Sequence, residues 1–212
     1  MRTLGTHSRT RAAAPAQGEL FGPRDRDPPT GTPWPQGFAH RPELLSAREE
    51  QALVGQLSGL AFAPFEFHGY LGKRRVVSYG WGYDFGARAL RRAEALPDFL
   101  APAREQAAHF AGIDPLALEQ ASVIEYPPGA TIGWHRDKAV FGEVVGVSLR
   151  SASVFRFRRA AIDGDGWERV SLELAPRSAY VLRGPARTEW EHSLRPVEAL
   201  RYALTFRTLA RR

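Results

Sequence analysis

Cysteine is absent from this chain of 212 residues. Disulfides, thiolate nucleophiles and zinc sites built on cysteine are therefore excluded. A protein without covalent cross-links fits the reducing cytosol, and we expect a cytoplasmic location.

Long apolar runs are also missing. No stretch approaches the roughly 20 consecutive apolar residues of a membrane helix, and the N-terminal stretch lacks the apolar core of a signal peptide. We therefore expect no membrane association. Residues 1–33 are rich in Pro, Gly, Arg and Asp and have no hydrophobic period, which predicts a flexible basic segment before a single domain over residues 34–212.

The formal net charge is +6 at pH 7, with arginine spread along the chain rather than concentrated in one run. A positive surface attracts polyanions, of which nucleic acid is the commonest in a cell. Charge alone therefore favours a nucleic-acid partner only weakly.

Two helices are predicted before a strand-rich half. Ser46 and Glu49 have the spacing of a capping box, which predicts a helix over 46–57, and Pro102 and Gly112 bound a second over 101–111. Beyond Gln120, turn residues separate eight short alternating runs, which predict strands: ASVIEY, ATIGWHRD, VVGVSL, SVFRFR, RVSLEL, SAYVLRG, TEWEHSL and RYALTFRTL. The pattern indicates an α+β, mainly β fold with helices packed outside a sandwich or barrel.

The segment WHRDK contains a possible metal site. In a strand, His135 and Asp137 would point to the same face. A neutral imidazole beside a carboxylate suits a borderline metal such as iron, although a surface pair is the commoner meaning of an isolated triplet. By the same alternation, Trp134 is expected to face away from the metal and to pack in the core.

A third ligand is available in TEWEHSL. His192 shares a strand face with two apolar neighbours, which is more often the position of a packed core histidine. Two histidines and one carboxylate nevertheless make a facial triad that leaves iron positions open for a cosubstrate and O₂.

The last strand has two distinct faces. Its apolar face must pack on the core, while Arg201 and Arg207 lie on the opposite face. Two guanidiniums on one face could bind both ends of a small dicarboxylate, because each planar fork pairs bidentately with a carboxylate. A solvated edge strand with surface arginines would give the same pattern.

Taken in order, these elements resemble the AlkB family of Fe(II)- and 2-oxoglutarate-dependent dioxygenases. The resemblance rests on YPPGATIGWHRD, VVGVSL, the distant histidine and the terminal RYALTFR, and it runs from about Trp34 to Leu209. It implies a double-stranded β-helix, or jelly roll, and an enzyme with Fe(II), 2-oxoglutarate and O₂ as cofactor and cosubstrates. It assigns the metal to His135, Asp137 and His192 and the cosubstrate to Tyr126, Arg201, Thr205 and Arg207.

The resemblance further implies oxidative N-demethylation, in which a methyl group leaves as formaldehyde. The expected substrate is alkylated single-stranded DNA or RNA, in a repair role, and the protein is expected to be a monomer. Two positions depart from the family pattern, because Ile124 and Ala203 stand where relatives that repair DNA carry asparagine. These departures predict fewer hydrogen bonds to the cosubstrate.

Residues 65–85 interleave aromatic and basic side chains. Aromatic faces stack on unpaired bases and cations meet phosphates, and in the AlkB family the corresponding segment covers the substrate. An ordinary hairpin with a solvated basic triplet is the alternative. The candidate substrate contacts are Tyr70, Lys73, Arg74, Arg75, Tyr79, Trp81 and Tyr83.

Three other functions fit parts of the pattern. The same chemistry could act on methyl-lysine in a protein or on a small molecule. A non-catalytic jelly-roll binding module would tolerate Ile124 and Ala203 but would not need an intact triad. A hydrolytic zinc enzyme would leave the two arginines of the last strand without a purpose.

Overall fold

The computed structural model describes residues 34–67, 70–84, 86–87, 89–161, 164 and 166–210, with side chains left out of the description over 65–71. The segment 1–33, predicted to be flexible, lies outside these residues. The helices are α1 (Ala47–Leu57), α2 (Ala101–Ala111) and α3 (Gly184–Thr188). The strands are β1 (Phe38–Arg41), β2 (Ala63–Phe67), β3 (Tyr70–Tyr79), β4 (Trp81–Asp84), β5 (Ala89–Arg92), β6 (Gln120–Tyr126), β7 (Ile132–His135), β8 (Phe141–Leu149), β9 (Ser153–Ala160), β10 (Trp167–Leu174), β11 (Ala179–Leu182), β12 (Glu191–Leu194) and β13 (Arg201–Leu209).

Two antiparallel sheets form the body of the fold. The larger sheet has the order β1-β11-β8-β13-β6-β3-β2, and the smaller has the order β10-β9-β12-β7. Strands β4 and β5 make a separate pair. Non-consecutive strands are neighbours in both large sheets, as in a jelly roll, and the mainly β fold predicted from the sequence is confirmed.

Strand β13 divides the apolar residues between two cores. Tyr202, Leu204 and Phe206 pack with the helices on the outer face of the larger sheet. Ala203 belongs to a second cluster, which lies between the sheets and includes Phe155 and Phe157 of the smaller one. The alternation read from RYALTFR is thus confirmed, and it directs both arginines of that strand toward the space between the sheets.

Both predicted helices are present. The Ser46 hydroxyl caps the backbone N–H of Glu49, and the Glu49 carboxylate accepts from the Ser46 backbone, which completes the capping box of α1. Helix α2 has proline in its first turn and ends at Gly112, whose φ of 64° lies in the left-handed region. Among the residues described, no helix has the length and apolar character required to cross a membrane.

Two local predictions were wrong. The run around His192 was predicted as one strand, but its first residue, Thr188, ends helix α3, and strand β12 begins only at Glu191. Trp134 does face away from the site, but it does not pack in the core. Its ring is only partly buried and lies against the guanidiniums of Arg156 and Arg158, at 4.8 and 4.5 Å. Strand alternation correctly predicted the direction of the Trp134 side chain, but it could not predict that two arginines would cover the ring.

The capping box of α1 gives a stability prediction. Ser46→Ala removes the hydroxyl that accepts the Glu49 N–H, and we expect the free energy of unfolding to fall by about 1 kcal/mol. Urea denaturation measures this loss. Ser46→Thr keeps a hydroxyl and should remain close to the original stability, so an equal loss in both variants would contradict the role of the cap.

Candidate active site

Three side chains able to bind a metal meet between the sheets. Ligand atoms of His135, Asp137 and His192 all lie within 4.8 Å of one another. The two histidines are direct cross-strand partners on β7 and β12, with ring centroids 4.3 Å apart. Asp137 Oδ2 lies 3.6 Å from His192 Nε2. The structure therefore brings together the residues that the sequence grouped.

Asp137 reaches this cluster in a different way from the one expected. Strand β7 ends at His135, so strand alternation does not extend to the carboxylate. Instead, Nε and Nη2 of Arg207 each donate to Asp137 Oδ1 at 2.9 Å, and the carboxylate side chain is only 8% exposed. Arg207, predicted to bind the cosubstrate, thus also holds the Asp137 carboxylate in place.

The electrostatics of the cluster favour the protonation states that a metal needs. Burial, together with the neighbouring His135, lowers the pKa of His192 to about 3. Burial by itself raises the pKa of Asp137, but Arg207 and the two histidines outweigh it, so this pKa lies below its ordinary value. At neutral pH the cluster is two neutral imidazoles and one carboxylate, which is the form that binds metal.

Arg201 lies at the start of β13, opposite Tyr126 on β6. It is 2% exposed, its guanidinium lies 5.1 Å from the centroid of the Tyr126 ring, and its Nη2 donates to Ser148 Oγ at 3.2 Å. Its Nε is buried and has no hydrogen-bond partner among the described residues. A buried guanidinium with an unsatisfied donor is suited to an acid ligand.

Between the two arginines, the floor of the site is a row of cross-strand partners. Ser122, Thr205, Gly146 and Tyr180 follow one another across β6, β13, β8 and β11. Thr205 is 5% exposed, in agreement with the face predicted for it. Sequence reasoning missed Tyr180, although Gly146 offered a signal, because glycine inside a strand often marks the close approach of another group.

The basic triplet of β3 is divided by strand alternation. Arg74 is half-buried, and its charge acts on both Tyr126 and His135. Arg75 binds Glu125 in an ion pair of 2.6 Å, and Lys73 is exposed. Of the three predicted contacts, only Arg74 is directed toward the metal cluster.

The aromatic candidates are also divided. Tyr79 is 6% exposed and packs in the helix-facing core, where its ring contributes to stability rather than to a surface. On β4, the Trp81 ring lies 4.0 Å from the Arg92 guanidinium, and the Tyr83 ring lies 5.2 Å from Lys138 Nζ. Lys138 follows Asp137 directly, so Tyr83 borders the metal cluster. The side chain of Tyr70 lies outside the described residues.

Arg187 is a further residue that the sequence did not indicate. It is 8% exposed and donates hydrogen bonds to the backbone carbonyls of Lys138, Phe141 and Gly142, at 2.7, 2.9 and 3.1 Å. The first of these carbonyls lies in the loop after Asp137, and the other two lie at the start of β8. Arg187 therefore fixes the segment on which the carboxylate ligand lies.

Comparison with known proteins agrees with this geometry. Residues 37–207 match the family model of the 2OG-Fe(II) oxygenase superfamily, and the chain belongs to that superfamily. It is accordingly an oxidoreductase of the dioxygenase type, with Fe(II), 2-oxoglutarate and O₂ as its cofactor and cosubstrates. The AlkB-type resemblance seen in the sequence is also confirmed.

The relatives include one curated sequence and two solved structures. "Alkylated DNA repair protein ALKBH8 homolog" of Arabidopsis thaliana is 30% identical, over 71% of this chain and 48% of the relative, so the chain spans about half the relative's length. The structure of OsALKBH1 matches with a TM-score of 0.57 at 18% identity, covering 82% of this chain and 97% of that one. A Pseudomonas putida prolyl-4-hydroxylase matches with a TM-score of 0.54 at 20% identity, covering 83% and 94%. These two structures support the jelly-roll fold.

Removing Arg187 should destabilise the protein. In Arg187→Met, buried carbonyls lose their charged donor, and we expect the free energy of unfolding to fall by about 3 kcal/mol. Arg136 is a matched control, because it is exposed and donates to a single carbonyl, that of Thr188, at 3.1 Å. Arg136→Met should change stability by less than about 0.5 kcal/mol. Equal denaturation midpoints for the two variants would refute the role assigned to Arg187.

Proposed function

We propose that His135, Asp137 and His192 bind Fe(II), and that the enzyme oxidatively removes N-methyl groups from alkylated bases of single-stranded DNA or RNA. The observation that carries the proposal is the cluster of three ligand atoms within 4.8 Å, formed by two histidines and one carboxylate. This set makes the facial triad of non-haem iron oxygenases and leaves coordination positions for other ligands.

The arrangement of charges supports a place for 2-oxoglutarate beside the triad. Arg201 and Arg207 lie on one strand face, and Asp137 already pairs with Arg207. Arg201 has no carboxylate partner among the described residues, so the site carries an excess of positive charge that suits a dianion. We assign the distal carboxylate to Arg201, with Tyr126 and Thr205 beside it, and the metal-proximal end to Arg207.

The chemistry that bound Fe(II), 2-oxoglutarate and O₂ supply is hydroxylation of a C–H bond, with 2-oxoglutarate converted to succinate and CO₂. The protein orients and encloses this chemistry. Arg207 fixes the Asp137 carboxylate, and Arg201 orients the cosubstrate. A hydroxylated N-methyl group then collapses to formaldehyde and the demethylated nitrogen.

Three features support nucleic acid as the substrate. The chain carries a net charge of +6, and its relative from Arabidopsis thaliana is called an alkylated DNA repair protein. Trp81 and Tyr83 lie two residues apart on β4, and Tyr83 is next to the loop of the metal cluster. An unpaired base could stack there while Arg74 and Lys138 meet phosphate oxygens.

The metal assignment predicts a spectroscopic result. Anaerobic addition of Fe(II) and 2-oxoglutarate should produce a visible metal-to-ligand charge-transfer band. His135→Ala should abolish the band because it removes a ligand. His109→Ala is the control, since His109 is an exposed residue of α2 outside the cluster. A normal band in His135→Ala would show that the metal lies elsewhere.

The substrate assignment predicts selective turnover and salt-sensitive binding. Iron-loaded enzyme should release formaldehyde from N-methylated oligonucleotides. Binding of the same single strands should weaken steeply with salt, because contacts to phosphate release counterions. Trp81→Ala and Tyr83→Ala should each weaken binding about tenfold through lost stacking, whereas Trp167→Ala, at an exposed tryptophan of the smaller sheet, should not.

Methyl-lysine peptides provide the opposing test. Release of formaldehyde from peptides alone, with no salt-sensitive oligonucleotide binding, would favour a protein substrate. A protein that shows the charge-transfer band but forms no succinate, either with any of these substrates or without a substrate, would favour a non-catalytic binding module. Either result would contradict the nucleic-acid proposal.

A further inference from the structure

Tyr180 is buried between the two sheets. It is 9% exposed, belongs to the inter-sheet core and stacks on Phe155 with ring centroids 4.8 Å apart. It lies on β11, directly opposite Gly146 of β8. This position puts a phenol hydroxyl into the cluster between the sheets.

The phenol crosses the neighbouring strand at Gly146. A Cβ atom at this glycine would come within 2.5 Å of the Tyr180 hydroxyl oxygen, so any larger residue would displace the ring. Gly146 pairs on its other side with Thr205 of β13. The missing side chain therefore lets the hydroxyl reach toward the strand that carries both arginines.

The surroundings of Tyr180 are charged. Burial raises the pKa of the phenol, and the negative charge of Asp137 raises it further, while Arg201 and Arg207 act in the opposite direction. The hydroxyl therefore stays protonated at neutral pH and can donate a hydrogen bond. Asp137, Arg201 and Arg207 therefore all act electrostatically on this hydroxyl.

Two positions near Arg201 carry no polar side chain. Ile124 and Ala203 are cross-strand partners on β6 and β13, and neither has a polar side-chain atom. Ser148, the partner of Ala203 on the other side, already accepts from Arg201. An acid bound beside Arg201 and Tyr126 would thus gain no hydrogen bond from Ile124 or Ala203.

We infer that the Tyr180 hydroxyl donates a hydrogen bond to the distal carboxylate of 2-oxoglutarate, alongside Arg201. This inference rests on the proposed binding of that carboxylate by Arg201. Tyr180 supplies from β11 the polar contact that the apolar pair Ile124 and Ala203 does not supply. Gly146 is required because it leaves room for the ring.

Calorimetric titration of 2-oxoglutarate into the Mn(II)-loaded protein tests the inference directly. Tyr180→Phe keeps the ring and removes only the hydroxyl, and it should raise the dissociation constant about tenfold or more, as expected for a hydrogen bond to a charged group. Tyr202→Phe is the matched control. Its buried hydroxyl donates to Glu125 on the helix-facing side of β13, so its dissociation constant should stay within about twofold of the original value, as for a site with no shared partner.

Two further measurements separate a binding role from a structural one. At saturating 2-oxoglutarate, the charge-transfer band of Fe(II)-loaded Tyr180→Phe should keep its position, because the metal end is unchanged. Adding Ala203→Asn to Tyr180→Phe should recover affinity by restoring a donor near Arg201. A shifted band would place the hydroxyl at the metal end and overturn the inference.

Arg201→Gln separates failure of the inference from failure of the proposed site. If Arg201→Gln loses affinity but Tyr180→Phe binds as tightly as the original protein, the site stands and the role of Tyr180 is wrong. If neither variant loses affinity, the distal carboxylate binds elsewhere and both assignments fail.

Discussion

The buried ion pair between Asp137 and Arg207 joins the two sheets at the point where the metal ligands meet. Asp137 lies two residues after the end of β7 in the smaller sheet, and Arg207 belongs to β13 in the middle of the larger sheet. Because both side chains are largely buried, at 8% and 13% exposed, losing one partner would leave an uncompensated charge, at a cost of about 3–5 kcal/mol. Arg207 occupies Oδ1, while Oδ2 faces His192, so one carboxylate serves both the fold and the metal cluster.

Strand register places the remaining groups around this pair. The histidines face each other because β7 and β12 are neighbours in the smaller sheet. Arg201 meets Tyr126, and Thr205 meets Gly146, because β13 lies between β6 and β8 in the larger one. Since a slip of one residue would turn every side chain to the opposite face, the packing of the helices on β13 also secures the polar face of the site.

The sequence predicted those features that depend on local period and motif order. Alternation within RYALTFR gave the two faces of β13, and the family resemblance gave the set of His135, Asp137 and His192. The sequence could not predict contacts that depend on which strands become neighbours in a sheet. For this reason Tyr180 and Arg187 were missed. Tyr79 was predicted as a substrate contact because it lies in the same aromatic and basic segment as Trp81 and Tyr83. Its side chain instead packs in the core that faces the helices.

The two ends of the site are built under different physical constraints. The proposed cosubstrate end lies between two sheets, where buried arginines and fixed register leave little freedom to change a residue without loss of stability. The proposed substrate side is formed by β4 and β5, a separate pair whose Tyr83 contacts the rest of the site through the side chain of Lys138. Contacts made by exposed hairpins can vary while the core is unchanged. Substrate preference can therefore differ between enzymes that share this triad, and in this chain we propose that Arg74 on the inner face of β3 and the aromatic pair of β4 decide it.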